Sequence, residues 1–406
     1  MTQLARKPIS RRDGILATAI TIISALAALF GVEFYLASDA AKAPTRASKA
    51  LGLAYDARGM SDAVVELRRS SPGAAPAVWP GYLLEAAEGG TRRSRLTAPD
   101  GRETLPMAGV SRALTVMCRE VGGYVTYESD RHGFNNPDAV WDKLVADIVL
   151  IGDSFAQGQC VPAEAQAAHL LRAKYPGTLA LAMGHNGPLL ELATLAEFGA
   201  LRSPRAMIWM YYQGNDLIED LGREAGSALL KNYLTPGFTQ NLASRQSEID
   251  ALLRGYLDGA AAELRIDSLA SAHKWGSIVR LRYLRRALGF GRSAPPADWP
   301  TFEKILEETA NRVGAWGGRP YFAYLPGWNE LIRPSAAMAS SRERVLATAR
   351  AKGFTVIDLH ARMASAPEPG AFFYYPASHY GPAGQRLLAE AILEALAADG
   401  LTPSAH

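Results

Sequence analysis

The chain lacks the features that would tie it to nucleic acid, nucleotides or a metal cluster. Its 43 Lys and Arg against 40 Asp and Glu leave a formal charge of only +3 over 406 residues. A nucleic-acid footprint needs a concentrated basic surface, so that class of partner is excluded. There is no Gly-rich phosphate loop: Gly152 to Gly158 matches neither GxGxxG nor a Walker A pattern. The two cysteines, Cys118 and Cys160, have neither zinc spacing nor a CxxC redox arrangement. His132, His169, His273 and His360 stand apart without ligand spacing, so no metal and no cofactor is expected. Hydrophobic residues make up 48% of the chain, enough for one large core or two modest ones.

The N-terminus holds one long apolar run. Residues 1–13 are polar and carry Arg6, Lys7, Arg11 and Arg12; Gly14 to Leu36 then runs mostly apolar, with Glu33 its only charge. This is long enough to cross a bilayer as a helix. Positive charge in front of it predicts a cytoplasmic N-terminus (1–13), a signal anchor over 14–37 and an exported remainder. That places the protein in the inner membrane as a single-pass chain facing the periplasm. A cleaved signal peptide is the alternative, with Ala37-Ser38-Asp39-Ala40 as the cut region, although the run is longer than a usual signal core.

Residues 38–52 read as a linker, the first part of a β-rich N-terminal extension over 38–145. Tyr124-Val125-Thr126-Tyr127 alternates like a short strand, and turn-rich Ser129–Pro137 follows. From 146 to 400 strands and helices alternate. Strands are expected at 148–151, 178–182, 206–212, 320–325 and 354–358, with helices at 163–174, 188–198, 301–315, 341–352 and 382–398. Alternation of this kind implies a parallel sheet covered on both faces. Residues 217–300 interrupt the rhythm and read as a helical insertion with a Pro-containing break at 294–300. Ile278–Leu288 within it carries four arginines. It reads as a solvated helix face, or as an amphipathic helix touching anionic lipid or polysaccharide.

Ile148-Val149-Leu150-Ile151 ends on Gly152-Asp153-Ser154-Phe155. The strand therefore delivers Ser154 to the carboxyl rim of the sheet, where open α/β folds bind ligands. Taken alone, Ser154 could equally be a helix cap. Three further loops hold polar residues of the right kind: Gly184-His185-Asn186-Gly187, Gly214-Asn215-Asp216, and Ser378-His379-Tyr380 ahead of the last helix. Acyl transfer needs a hydroxyl, a neutral imidazole to take its proton, and N–H donors for the oxyanion.

This ordered set resembles the SGNH (GDSL-type) hydrolase superfamily. Gly152-Asp153-Ser154-Phe155 is similar to its first block, a glycine after the second strand to its second, Gly214-Asn215-Asp216 to its third and His379 to its last. The resemblance implies a flavodoxin-like three-layer α/β/α sandwich. It implies Ser154 as nucleophile and His379 as base. The oxyanion hole would be formed by the Ser154 and Gly187 N–H groups and the Asn215 amide, with Gly184 the other choice for the glycine. His185 could line the pocket, and Asp216 reads as a structural acceptor. The family's DxxH motif is broken, because Pro376 stands three residues before His379. Asp358 at a strand end is the substitute acid to test, and a Ser–His dyad is the other solution. Export makes a Cys118–Cys160 disulfide available, which would pin the extension beside the nucleophile loop; two buried thiols are the alternative. The expectation is an anchored serine esterase acting on an acylated glycan or envelope ester. An O-acyltransferase on a cell-surface polysaccharide and a non-catalytic envelope binding protein are its rivals.

Overall fold

A computed structural model describes residues 11–258, 276–288 and 297–403. Arg6, Lys7, His273 and residues 294–296 of the break expected at 294–300 lie outside these. One helix, Arg11–Ala41, carries the apolar run; it is long and apolar enough to cross a membrane, and none of its apolar window is buried against the protein.

The N-terminal extension forms two small sheets. Strands β1 (Ala75–Pro76), β4 (Leu114–Cys118) and β5 (Val125–Glu128) make one, and β2 (Leu84–Ala86) with β3 (Arg92–Ser94) the other. The main sheet holds β6 (Ile148–Gly152), β7 (Thr178–Ala182), β8 (Ala206–Tyr212), β9 (Arg319–Leu325) and β10 (Thr355–Asp358). Its order is β10-β9-β8-β6-β7 and every pairing is parallel. That is the flavodoxin-like arrangement, and its strand order reverses at β6. The strands read as unbroken apolar runs because helices cover both faces. Period-two alternation divides β6 between two cores. Val149 and Ile151 pack with the helices Pro188–Phe198 and Trp299–Ala315. Ile148 and Leu150 pack with Ala167–Arg172 and Pro382–Ala398.

The expected strands and most helices fall within a few residues of their positions. The segment 163–174 differs: it divides into a short 3₁₀ turn, Ala163–Ala165, and the helix Ala167–Arg172. Residues 217–258 are no detached lobe. Leu230, Tyr233, Leu242, Ile249, Leu253 and Leu257 join the same core as Val149, together with Leu105, Met107 and Phe134 of the extension. The extension also closes the free edge of β7, where Asn136 accepts from Ala180 N–H at 2.8 Å and donates to its carbonyl at 3.1 Å. Asp130 holds this loop in place, accepting from the N–H groups of His132 and Phe134, the Asn136 amide and the Trp141 indole.

Candidate active site

Gly152 closes β6 at φ +152°, and a Cβ there would lie 2.6 Å from Ala156 Cβ and 2.8 Å from the Met210 carbonyl. The chain can therefore turn sharply only with glycine here. Asp153 caps the turn Ser154–Gln157, its Oδ1 accepting from Phe155 N–H at 2.8 Å. Ser154 follows at the switch point, its side chain at the floor of a cavity of about 200 Å³. Phe155, Gln159, His185, Tyr212, Asn215 and His379 also line this cavity.

Across the cavity, the loop before the last helix brings in His379. Its Nε2 lies 2.9 Å from Ser154 Oγ. The loop is held by Ser378, whose hydroxyl accepts from Tyr375 N–H at 2.9 Å and donates to the Tyr375 carbonyl at 2.7 Å. Phe155 packs on one side of the imidazole with ring centroids 5.0 Å apart, and Tyr212 stacks on Phe155 at 3.8 Å.

The group on the far side of the imidazole is Glu120. Its Oε1 lies 2.8 Å from His379 Nδ1, and its carboxylate also accepts the His379 backbone N–H at 3.1–3.2 Å. This corrects the choice of Asp358, whose carboxylate instead caps the helix Leu359–Ala364 by accepting from His360 N–H at 2.9 Å. Burial lowers the proton affinity of His379; the hydrogen bond and charge of Glu120 and the charge of Asp153 more than offset it, so its pKa stands above the ordinary value. Glu120 leaves the end of β4 two residues after Cys118. Cys118 is bonded to Cys160, with Cα atoms 5.2 Å apart, and Cys160 stands six residues after Ser154. The bridge thus joins the strand that carries the acid to the loop that carries the nucleophile. Glu120, Cys160 and His379 are the described residues nearest to a metal-ligand grouping, but the sulfur is in the disulfide and the other two bond each other.

The oxyanion donors also differ from expectation. Gly187 N–H donates to Glu224 Oε1 at 2.6 Å, and the other oxygen of Glu224 takes the N–H groups of Leu189 and Leu190. A buried carboxylate thus occupies the N-terminus of the helix Pro188–Phe198, and Gly187 has no free N–H to offer. Gly184 N–H is likewise engaged, by Gln157 Oε1 at 2.9 Å. Asn215 faces the cavity as expected, with one amide hydrogen given to Asp220 Oδ2 at 2.5 Å. Asp216 accepts from Tyr212 N–H at 2.8 Å and so shapes the loop. His185, at φ +61°, lines the cavity, its Nε2 2.8 Å from the Tyr82 hydroxyl; burial and Arg223 push its pKa down to about 4.

Beneath the nucleophile loop lies a set of buried carboxyls. Burial raises Asp153 to about 6, Glu224 to about 7 and Asp220 to about 8. Glu191 and Asp216 stand well above the usual carboxyl range, chiefly through burial and then through neighbouring carboxylates.

No family model matches the sequence, and no curated protein matches it. Solved structures are similar to part of the chain. The lipase/acylhydrolase from Enterococcus faecalis is 13% identical at TM-score 0.38, covering 64% of this chain and 100% of its own. An acetyl xylan esterase, AlAXEase, is 11% identical at TM-score 0.36, covering 61% of this chain and 99% of its own. A two-domain esterase active on acetylated mannans is 11% identical at TM-score 0.31, covering 66% of this chain and 54% of its own. At such scores the chemistry has to be read from this chain's own side chains.

Proposed function

We propose that the chain is a membrane-anchored, exported serine esterase whose triad is Ser154, His379 and Glu120. The continuous run from Ser154 Oγ through both ring nitrogens of His379 to Glu120 Oε1 carries this reading. Glu120 fixes the imidazole with Nδ1 protonated, so Nε2 is free to accept the serine proton. Ser154 Oγ would attack the acyl carbon as His379 takes that proton. The leaving alkoxide receives it, and water then repeats the sequence on the acyl-enzyme. The Ser154 N–H and the side-chain amides of Asn215 and Gln159, which line the cavity, are the groups placed to donate to the oxyanion. The non-catalytic reading rested on the missing DxxH acid; with Glu120 hydrogen-bonded to His379, that motive is gone. The exported position and the open polar cavity favour an acylated glycan or envelope ester as substrate.

The test uses the full chain in detergent, a fluorophosphonate probe and p-nitrophenyl acetate. Labelling and turnover should be present in the native chain and absent in Ser154→Ala, and turnover should be absent in His379→Ala. A folded native chain that neither labels nor turns over overturns the esterase reading. A sugar acceptor added to the same assay measures partition between water and a second hydroxyl.

A further inference from the structure

The arginine-rich stretch that the active site does not use lies against the membrane helix. Glu33 stands three residues before the end of the apolar run Gly14–Leu36, and it is fully buried. One of its carboxylate oxygens accepts Tyr283 N–H at 3.0 Å and the other Leu284 N–H at 2.6 Å. These are first-turn donors of the helix Arg282–Ala287, which have no partner within their own helix. A charge at the rim of a bilayer is expensive unless paired, and here the pairing is supplied by backbone. The contact also sets the height of that helix. Residues 14–36 rise about 34 Å at ~1.5 Å per residue, and the hydrocarbon core is about 30 Å thick. Glu33, and with it the first turn of Arg282–Ala287, falls where acyl chains give way to headgroups.

At that height the stretch presents charge and apolar surface together. Residues 276–288 contain four arginines and no acid. Arg280 and Arg282 are exposed, while Val279 and Leu288 stand 70% and 60% exposed. A helix face merely solvated would not need large aliphatics on its open side, whereas a segment lying in the interface uses both. We propose that residues 278–288 are a membrane-surface foot. Arg280 and Arg282 take anionic phospholipid headgroups, and Val279 and Leu288 enter the acyl boundary. The occupant is lipid because Glu33 holds the segment to the membrane helix itself. The proposal rests on the anchor reading above.

The native cysteines are paired, so a single nitroxide can be placed with Ala287→Cys. The labelled full chain is reconstituted in nanodiscs of phosphatidylcholine alone and of phosphatidylcholine with a quarter phosphatidylglycerol. Accessibility to oxygen relative to a water-soluble nickel chelate should rise several-fold in the anionic discs. Arg280→Glu/Arg282→Glu should return it to the neutral-disc value, with the thermal melt unchanged as a check on folding. A label that stays aqueous in both compositions, or that sits equally deep in both, overturns the proposal. A chain that fails to co-elute with the discs overturns the anchor reading and this one with it.

Discussion

At the scale of single residues, His379 is held by one carboxylate at two points, ring and backbone. Removing the charge while keeping the shape separates the two roles. Glu120→Gln should lower kcat by roughly 10²–10⁴-fold, because the tautomer and the developing imidazolium both lose their support. The direction of the His379 shift fixes a second outcome. The base must be neutral, and its pKa is above the ordinary value, so kcat/KM in the native chain should climb with pH through a midpoint above about 6.5. Glu120→Gln should move that midpoint down, since the hydrogen bond and charge that raise it are gone. A pH–rate profile of both proteins checks the two statements together; a midpoint that does not move removes Glu120 from the triad.

At the scale of elements, the acid and the nucleophile belong to separate parts of the chain that one bridge joins. Opening Cys118–Cys160 frees β4 from the loop after Ser154. Its 42-residue span contributes about 4 kcal/mol on a chain-entropy account. Reduction and alkylation should therefore lower the melting temperature. They should also lower kcat towards the level of Glu120→Gln, because the bridge ties the end of β4, and with it Glu120, to the loop after Ser154. Parallel kcat and melting measurements before and after reduction test this. The same arrangement explains what could be read from residues alone. Ser154, Asn215 and His379 were legible because each follows a strand or precedes a helix with a local pattern. Glu120 was not, since it lies 259 residues from His379 in a stretch without periodicity. Its only sequence signal was the nearby Cys118. Gly187 had the right spacing, but the carboxylate that takes its N–H comes from Glu224, 37 residues on. Asp358 sat at a strand end as an acid should, and the local helix claimed it as a cap. Contacts between distant segments decided the first two of these differences, and a local cap decided the third.

At the scale of the whole molecule, the buried carboxyls make stability depend on pH in an unusual direction. In the unfolded chain such groups lose their protons near pH 4. In the fold Asp153, Glu224 and Asp220 keep theirs to about 6, 7 and 8, and Glu191 and Asp216 are also held well above the ordinary value. Between pH 4 and 8 the native state binds more protons than the unfolded one, so stability falls as pH rises. His379 acts in the same sense above about 6.5, because its folded pKa is also raised. Asp56, held down to about 2 by Arg58, acts in the opposite sense only below pH 4, whereas His185, pushed down to about 4, and His132 and His360, also lowered by burial, act in that opposite sense up to about 6.5 and offset part of the decline there. The melting temperature should therefore decline most clearly from about pH 6.5 to pH 8. Glu191 isolates one part of that slope. It is fully buried, and burial with the charges of Asp153 and Glu224 raises its pKa well above the ordinary value and so favours the protonated form. Glu191→Gln copies that protonated shape while removing the titration of the unfolded chain. It should leave stability at pH 5 nearly unchanged and make the decline above it shallower. Denaturant unfolding of both proteins at pH 5, 6, 7 and 8 measures the two slopes, and parallel curves would mean that Glu191 is ionised in the fold.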